Sequence, residues 1–212
     1  MTIGIGAFGP MAGAAVIAAW AEAERRAAGD LHGFAVFTIL DNAGVPVSLE
    51  CQRGGFATIR GNREALARMA RATVAGVITS GPDRPEPLGQ FLAAGAVGLV
   101  TGHRLPNLAT ADGPAANRAA LDLLERGMPP GAAIERVLRA NPDLDAGLIA
   151  VTEIDLGMAN SAHVARRADL GEALILSQDR RYELALMHNS ISPVDGLAAA
   201  AVEAGEAVLR AA

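Results

Sequence analysis

The densest run of reactive side chains lies just after the apolar stretch Ala96 to Val100, where Thr101, His103, Arg104 and Asn107 follow within a few residues. An imidazole, a guanidinium and an amide at the end of a buried strand can hold a carboxylate or an amide, because they offer directed N–H donors. A solvated loop of the same composition is the competing reading. Arg53, ahead of Gly54-Gly55, is a second candidate anion clamp. Gly4-Ile5-Gly6-Ala7-Phe8-Gly9 matches the G-x-G-x-x-G pattern of dinucleotide-binding turns, and Asp41 ends the next expected strand. Only three residues precede Gly4, however, and that next strand is expected to turn back as a hairpin, so this reading ranks third.

Other reactive residues point to structure more than chemistry. The four His residues show neither H-x-x-x-H nor H-x-H spacing, so neither a metal site nor a cofactor is expected. His163, with Asn160, Arg166 and Asp169, reads as part of an exposed loop. His188 shares a strand face with Tyr182, Leu184 and Leu186 and reads as half-buried and satisfied. Cys51 falls in an alternating apolar row and reads as a packing residue.

Composition narrows the chemistry further. All 18 basic residues are Arg, which removes Schiff-base, P-loop-Lys and Ser-x-x-Lys mechanisms. A single Cys excludes a disulfide within the chain. A net charge of −5 with no basic block argues against nucleic acid as a partner. The first 21 residues carry no charge, yet glycines and Pro10 interrupt them and no basic segment leads them, so neither a signal nor a membrane span is expected. The expected compartment is the cytoplasm.

The elements that must position these residues follow from periodicity and punctuation. Residues 1–8 read as a strand, 12–28 as a helix burying Val16, Trp20, Ala23 and Ala27, with Gly29 as its stop. Residues 33–40 and 45–52 read as a hairpin around an Asp41-Asn42-Ala43-Gly44 turn, 62–72 as a helix, and 74–79 and 96–101 as strands. Helices are expected over 114–126, with an Asp122–Arg126 pair, and over 130–140, with a Glu135–Arg139 pair. Hairpins are expected at 147–159 and 173–188. A last helix is expected to be capped by Ser192 with Pro193 at its first position, and to bury Leu197, Ala201, Ala204 and Val208. Successive hairpins between helical layers argue for an α+β protein in which sheets pack on each other, within a single domain over residues 1–212.

Gly95 to Asn107, then Pro114 to Leu138, then Gly147 to Val151 form a recognisable order: strand, helix ending in Gly127, Pro-Pro start, second helix, and a strand reading Gly-Leu-Ile-Ala-Val. Ala119 to Pro129 carries most of the match, and Gly33 to Gly55 adds a first hairpin. This resembles the N-terminal nucleophile (Ntn) hydrolase superfamily, in particular isoaspartyl peptidases, aspartylglucosaminidases and gamma-glutamyltransferases, and an uncharacterised bacterial Ntn-like family whose chains begin Met-Thr. The resemblance implies a four-layer αββα sandwich and hydrolysis of an amide bond in a small molecule or short peptide. The nucleophile would be Thr2 once Met1 is removed, its own α-amine serving as base. Thr101 is the second candidate, exposed by internal cleavage. His103, Arg104 and Asn107 would then orient the substrate, with Arg53 as an accessory. A homo-oligomer is a further expectation of the resemblance. The alternative is a catalytically silent member of the fold that binds a small ligand or assembles into oligomers, with Thr2 no more than a β-branched strand residue.

Overall fold

Gly4 and Gly6 let other parts of the chain pack closely against the first strand. The computed structural model describes residues 1–27, 31–192 and 195–212. Strand β1 (Thr2–Phe8) is buried along its whole length. It is followed by helix α1 (Ala12–Arg26), the hairpin β2 (Ala35–Leu40) and β3 (Pro46–Cys51), two short helices α2 (Gly55–Gly61) and α3 (Arg63–Met69), and β4 (Val74–Ser80). After a 3-10 turn at Leu88–Phe91 come β5 (Ala93–Gly95), β6 (Gly98–Arg104), helices α4 (Ala116–Glu125) and α5 (Pro130–Ala140), and the hairpin β7 (Ala146–Val151) and β8 (Leu156–Asn160). The hairpin β9 (Leu170–Leu176) and β10 (Glu183–Asn189) leads to α6 (Leu197–Ala211).

The strands form a six-stranded sheet ordered β3-β2-β4-β1-β10-β9 and a four-stranded sheet ordered β5-β6-β7-β8. Every ladder is antiparallel. The protein is therefore α+β, as hairpins between helices implied.

Alternation along the strands separates three cores. Ile3, Ile5, Ala7, Val77, Leu184 and Leu186 face α1 and α6, where they meet Trp20, Ala201 and Val202. Phe8, Ile78, Leu99, Ile149, Ala185 and Met187 fill the space between the two sheets. Val100, Leu148 and Ala150 lie under Leu121, Leu124, Ile134 and Leu138 of α4 and α5. Successive strand side chains point to opposite faces, so one strand serves two cores at once. Trp20, fully buried, donates its indole N–H to Glu24 at 2.9 Å, and Glu24 Oε1 also accepts the Phe56 amide at 2.8 Å. Burial raises the Glu24 pKa, and these two donors oppose that rise.

Several expectations shift. The strand expected over 96–101 begins at Gly98 and runs to Arg104, so His103 and Arg104 belong to the strand instead of following it. Arg118, rather than Arg126, pairs with Asp122, at 3.0 Å, while the Glu135–Arg139 pair is present at 3.3 Å. In β3 the row of Val47, Leu49 and Cys51 lies on the same face as Ile39, Phe37 and Ala35, but toward the strand's start it runs out to the sheet edge: Val45 and Val47 are exposed, Leu49 is partly buried, and Cys51 is buried. The helix expected over 62–72 is shorter and is preceded by α2, which carries too few apolar positions to announce itself. The last helix starts at Leu197 behind Gly196, whose left-handed φ of 77° breaks the chain direction, so Ser192 does not cap it. Its buried face is Leu197, Ala198, Ala201, Val202, Gly205 and Leu209. The expected roles of Gly29 and Pro193 fall outside the described residues. Among the described residues, no helix is long and apolar enough to cross a membrane.

Candidate functional site

Strand ends from both sheets converge on the start of β1. Thr2 lies between Ser80, the last residue of β4, and Asn189, the last residue of β10. From the facing sheet, β6 ends at His103 and Arg104 and β8 ends at Asn160. Even-numbered residues of β1 face that second sheet, as Gly4 against Gly102 and Gly6 against Ile149 and Val151 show, which turns Thr2 toward the same gap.

Thr2 is 1% exposed, and its Oγ accepts a hydrogen bond from Arg84 Nη2 at 3.3 Å. Arg84 is half-buried on the segment after β4. Its Nε donates to Ser80 Oγ at 3.3 Å, its backbone N–H donates to Gln52 Oε1 at 2.9 Å, and its guanidinium lies over the Phe91 ring at 5.8 Å. Burial, and then the neighbouring charge of Arg104, lowers the Arg84 pKa from its usual value.

Around this pair stand two neutralised arginines. Arg104 binds Asp145 through two donors, one at 2.6 Å, and holds the Asp145 carboxyl below its ordinary pKa. Arg104 does so from a left-handed backbone with φ 63°, a conformation that non-glycine residues adopt at a cost. Arg167 pairs with Asp169 at 2.5 Å, and Ser190 Oγ donates to the same carboxylate at 2.6 Å. Those two partners hold Asp169 down to about 2. The α-amine on Met1 lies within the field of all these charges. Its pKa is lowered, first by burial and then by Arg84 and Arg104, with Asp169 opposing.

The expected site residues do not all meet here. His103 is fully buried between the sheets, with Nδ1 3.1 Å from Asn189 Oδ1 and Nε2 2.7 Å from Asn160 Oδ1. Burial lowers its pKa against the pull of both amides, so the ring is neutral and has one N–H to give. One of the two amides therefore turns its NH2 to the ring. A side chain at Gly147 would collide with this contact, 2.3 Å from His103 Nε2. His103 thus ties β6 to β8 and β10 instead of presenting an open donor.

Arg104 reaches the site, but its charge is already taken. Asn107 lies apart, donating to Gln90 at 2.8 Å, and its Oδ1 has no partner among the described residues. Arg53 is 83% exposed and pairs with Asp83 at 2.9 Å, so it braces the segment that carries Arg84 and does not clamp a ligand at Thr2. Thr101 sits inside β6, fully buried, with its hydroxyl donated to the Val77 carbonyl at 3.0 Å. That is a packing role between sheets. Gly4 and Gly6 are likewise spent on sheet contact, and β1 is antiparallel to both neighbours, whereas a dinucleotide-binding unit needs a parallel crossover.

Arg84, Asn160, Asn189, Asp145, Arg167, Asp169 and Ser190 were not singled out as site residues around Thr2. The available signal was their position: Arg84 follows a strand end inside Gly81-Pro82-Asp83-Arg84-Pro85, and Asn189-Ser190 ends another. Among the described residues, no group of three His, Cys, Asp or Glu could hold a metal ion. Cys51 is buried, its thiol pushed up by burial and donated to the Gly55 carbonyl at 3.5 Å, in keeping with packing.

His188 departs from expectation. It is fully buried, and neither ring nitrogen has a partner among the described residues. Burial, and then His103, pushes its pKa down to about 4. Between that value and the ordinary 6.5, the unfolded chain binds the proton and the folded chain does not, so stability falls as pH drops through this window. The loss attributable to His188 is on the order of 3 kcal/mol by pH 4. Urea unfolding from pH 7 to pH 4 is expected to show this decline in the wild type and a flatter one in His188→Met; parallel curves would contradict the assignment.

No curated protein matches the chain. A family model described as a domain of unknown function, DUF6963, matches residues 2–212, which takes in β1, both sheets and every residue around Thr2. The chain belongs to the DUF6963 family.

Proposed function

We propose that the protein is an Ntn-type amide hydrolase built as a four-layer αββα sandwich, with Thr2 as its nucleophile. The observation that carries this reading is the setting of the chain start, where the first strand opens between β4 and β10 with Thr2 turned toward the facing sheet, and the nearby α-amine is held below its ordinary pKa. The stacking of three cores, two beneath helices and one between sheets, supports the architecture. The reading requires a chain that begins at Thr2.

In such a chain the unprotonated Thr2 α-amine takes the hydroxyl proton as Oγ attacks the carbonyl carbon of an amide. Arg84, already donating to Oγ, favours the developing negative charge there. Collapse of the tetrahedral intermediate breaks the C–N bond, and the ammonium returns its proton to the leaving amine. Water, deprotonated by the same amine, then releases the acid and restores Thr2. The absence of Lys leaves the α-amine as the base, with no side-chain amine to share the work.

The second reading, a silent ligand-binding member of the fold, draws on the near-complete burial of Thr2. One experiment separates the two. A chain released from a cleavable fusion so that it starts at Thr2, and a chain retaining Met1, are assayed against a panel of small amides and dipeptides. The hydrolase reading expects turnover only in the first; no turnover in either leaves the silent reading.

A further inference from the structure

The end of the sheets farthest from Thr2 holds a buried carboxylate with too few partners. β1 runs from Thr2 to Phe8, and Phe8 pairs with Glu183, the first residue of β10. Glu183 is 1% exposed, and its Oε1 has no hydrogen-bond partner among the described residues. One cation among them comes within ion-pair distance, the largely exposed Arg180, whose Nη2 lies 3.8 Å from that oxygen, too far for a hydrogen bond. The Leu156 N–H supports the Glu183 carboxylate and is also donated to Asp155 Oδ1 at 3.0 Å. Two acids therefore converge on one donor. Burial, and then Asp155, raises the Glu183 pKa against Arg180 and the Leu156 amide, so a further cation placed here would relieve a charge that the fold disfavours.

Asp155 also lines a groove of about 590 Å³ where four turns meet: those joining β2 to β3, β5 to β6, α4 to α5 and β7 to β8. That volume suits a small molecule. Val97, Met128, Pro129 and Ile154 supply apolar walls, and Ile154, in the β7–β8 turn, is 81% exposed. Such exposure of a branched aliphatic chain leaves apolar surface that a ligand can bury. The turn itself is braced, since Thr152 Oγ accepts the Asp155 N–H and donates to its carbonyl, both at 3.1 Å. The charged residues lining the groove are Glu153 and Asp155, with no Arg or His among the described residues beside them.

We propose that this groove binds a small primary amine carried on an apolar body, the ammonium held by Asp155 and Glu183 and the body laid against Ile154, Val97 and Met128. A divalent cation fits less well, because no three His, Cys, Asp or Glu among the described residues gather as a ligand set. The groove lies at the opposite end of the sheets from Thr2, so it stands or falls apart from the hydrolase reading.

NMR titration of the nitrogen-labelled full chain with phenethylamine, and with its neutral counterpart phenethyl alcohol, decides the assignment. The amine is expected to shift the amides of Val97, Met128 and Glu153 to Leu156, and to bind at least about tenfold more tightly than the alcohol, the worth of one charge-assisted hydrogen bond. Asp155→Asn keeps an acceptor for the Leu156 amide but removes the charge, and is expected to bring the two affinities together. Glu183→Gln is expected to do so in part, and Ile154→Ser to weaken both compounds alike. Thermal melts establish that each variant is folded, and Asp155→Asn carries the test if Glu183→Gln unfolds. Failure of the amine to bind, equal affinities in the wild type, shifts confined to residues outside the groove, affinities untouched by Ile154→Ser, or a preference that survives Asp155→Asn would overturn the assignment.

Discussion

Thr2→Ala, in a chain beginning at residue 2, is expected to lower amide turnover by about a thousandfold or more, to the background of the assay. In the proposed mechanism the substitution removes the atom that bonds to the substrate while leaving the α-amine, Arg84 and the strand in place. Thr2→Ser keeps the hydroxyl and is expected to retain measurable activity, because loss of the methyl alters rotamer preference and not chemistry. The effect on folding is expected to be small by comparison: the hydroxyl makes one long hydrogen bond, to Arg84 at 3.3 Å, and a lost bond of that kind is worth about 1 kcal/mol. Turnover measured beside a thermal melt therefore separates lost chemistry from lost structure. Turnover that persists in Thr2→Ala would remove Thr2 from the mechanism.

The largest effect on stability is expected two residues further on. A Cβ at Gly4 would lie 2.2 Å from the Gly102 carbonyl oxygen and 2.5 and 2.8 Å from its carbonyl carbon and Cα. All three are backbone atoms, so no side chain can swing aside. Neither strand can retreat easily. β1 is paired on both sides, to β4 and β10, and β6 is paired to β5 and β7. Gly102 is itself close-packed, the place of its absent Cβ lying 2.0 Å from the Gly147 carbonyl oxygen.

Gly4→Ala must therefore part the two sheets locally, with a loss of about 3 kcal/mol or more. Gly61→Ala is the matched control. Nothing lies within 4 Å of a Cβ there, and its backbone is not left-handed, so its midpoint is expected to change by less than about 1 kcal/mol, in the stabilising direction if at all. Denaturant unfolding of both variants checks the pair. Equal midpoints would mean that the sheets do not approach as closely as the Gly4–Gly102 contact requires.

Much of the fold was legible because the signals were local. Pro130 and Gly127 punctuate α4 and α5, and an apolar residue every third or fourth position marks the face they bury. Residues 33–52 announce a hairpin through the turn at Asp41, whose Oδ1 accepts from the Ala43 and Val45 amides at 2.9 and 2.8 Å. β6 runs past its expected end for a physical reason. Gly102, His103 and Arg104 look like a strand terminus, yet Gly102 is required where β1 comes close, and His103 is satisfied by amides 57 and 86 residues away.

The site was less legible still. Thr2 and Arg84 are 82 residues apart, Arg104 and Asp145 are 41 apart, and Asp169 and Ser190 are 21 apart. No spacing along the chain announces such a group. Strand ends gathered by an antiparallel topology do, and that topology appears only once the sheets are assembled. Resemblance pointed to Thr2, while the residues around it had to come from the structure.

The central claim is that the working chain begins at Thr2. Intact-mass analysis of the protein isolated from the cells that naturally make it tests this most directly, with a fragment spectrum reading the first residues. The account predicts one uncut species whose first residue is Thr2 with a free α-amine. A chain that retains Met1, or that carries a blocked or extended residue 2, would contradict it.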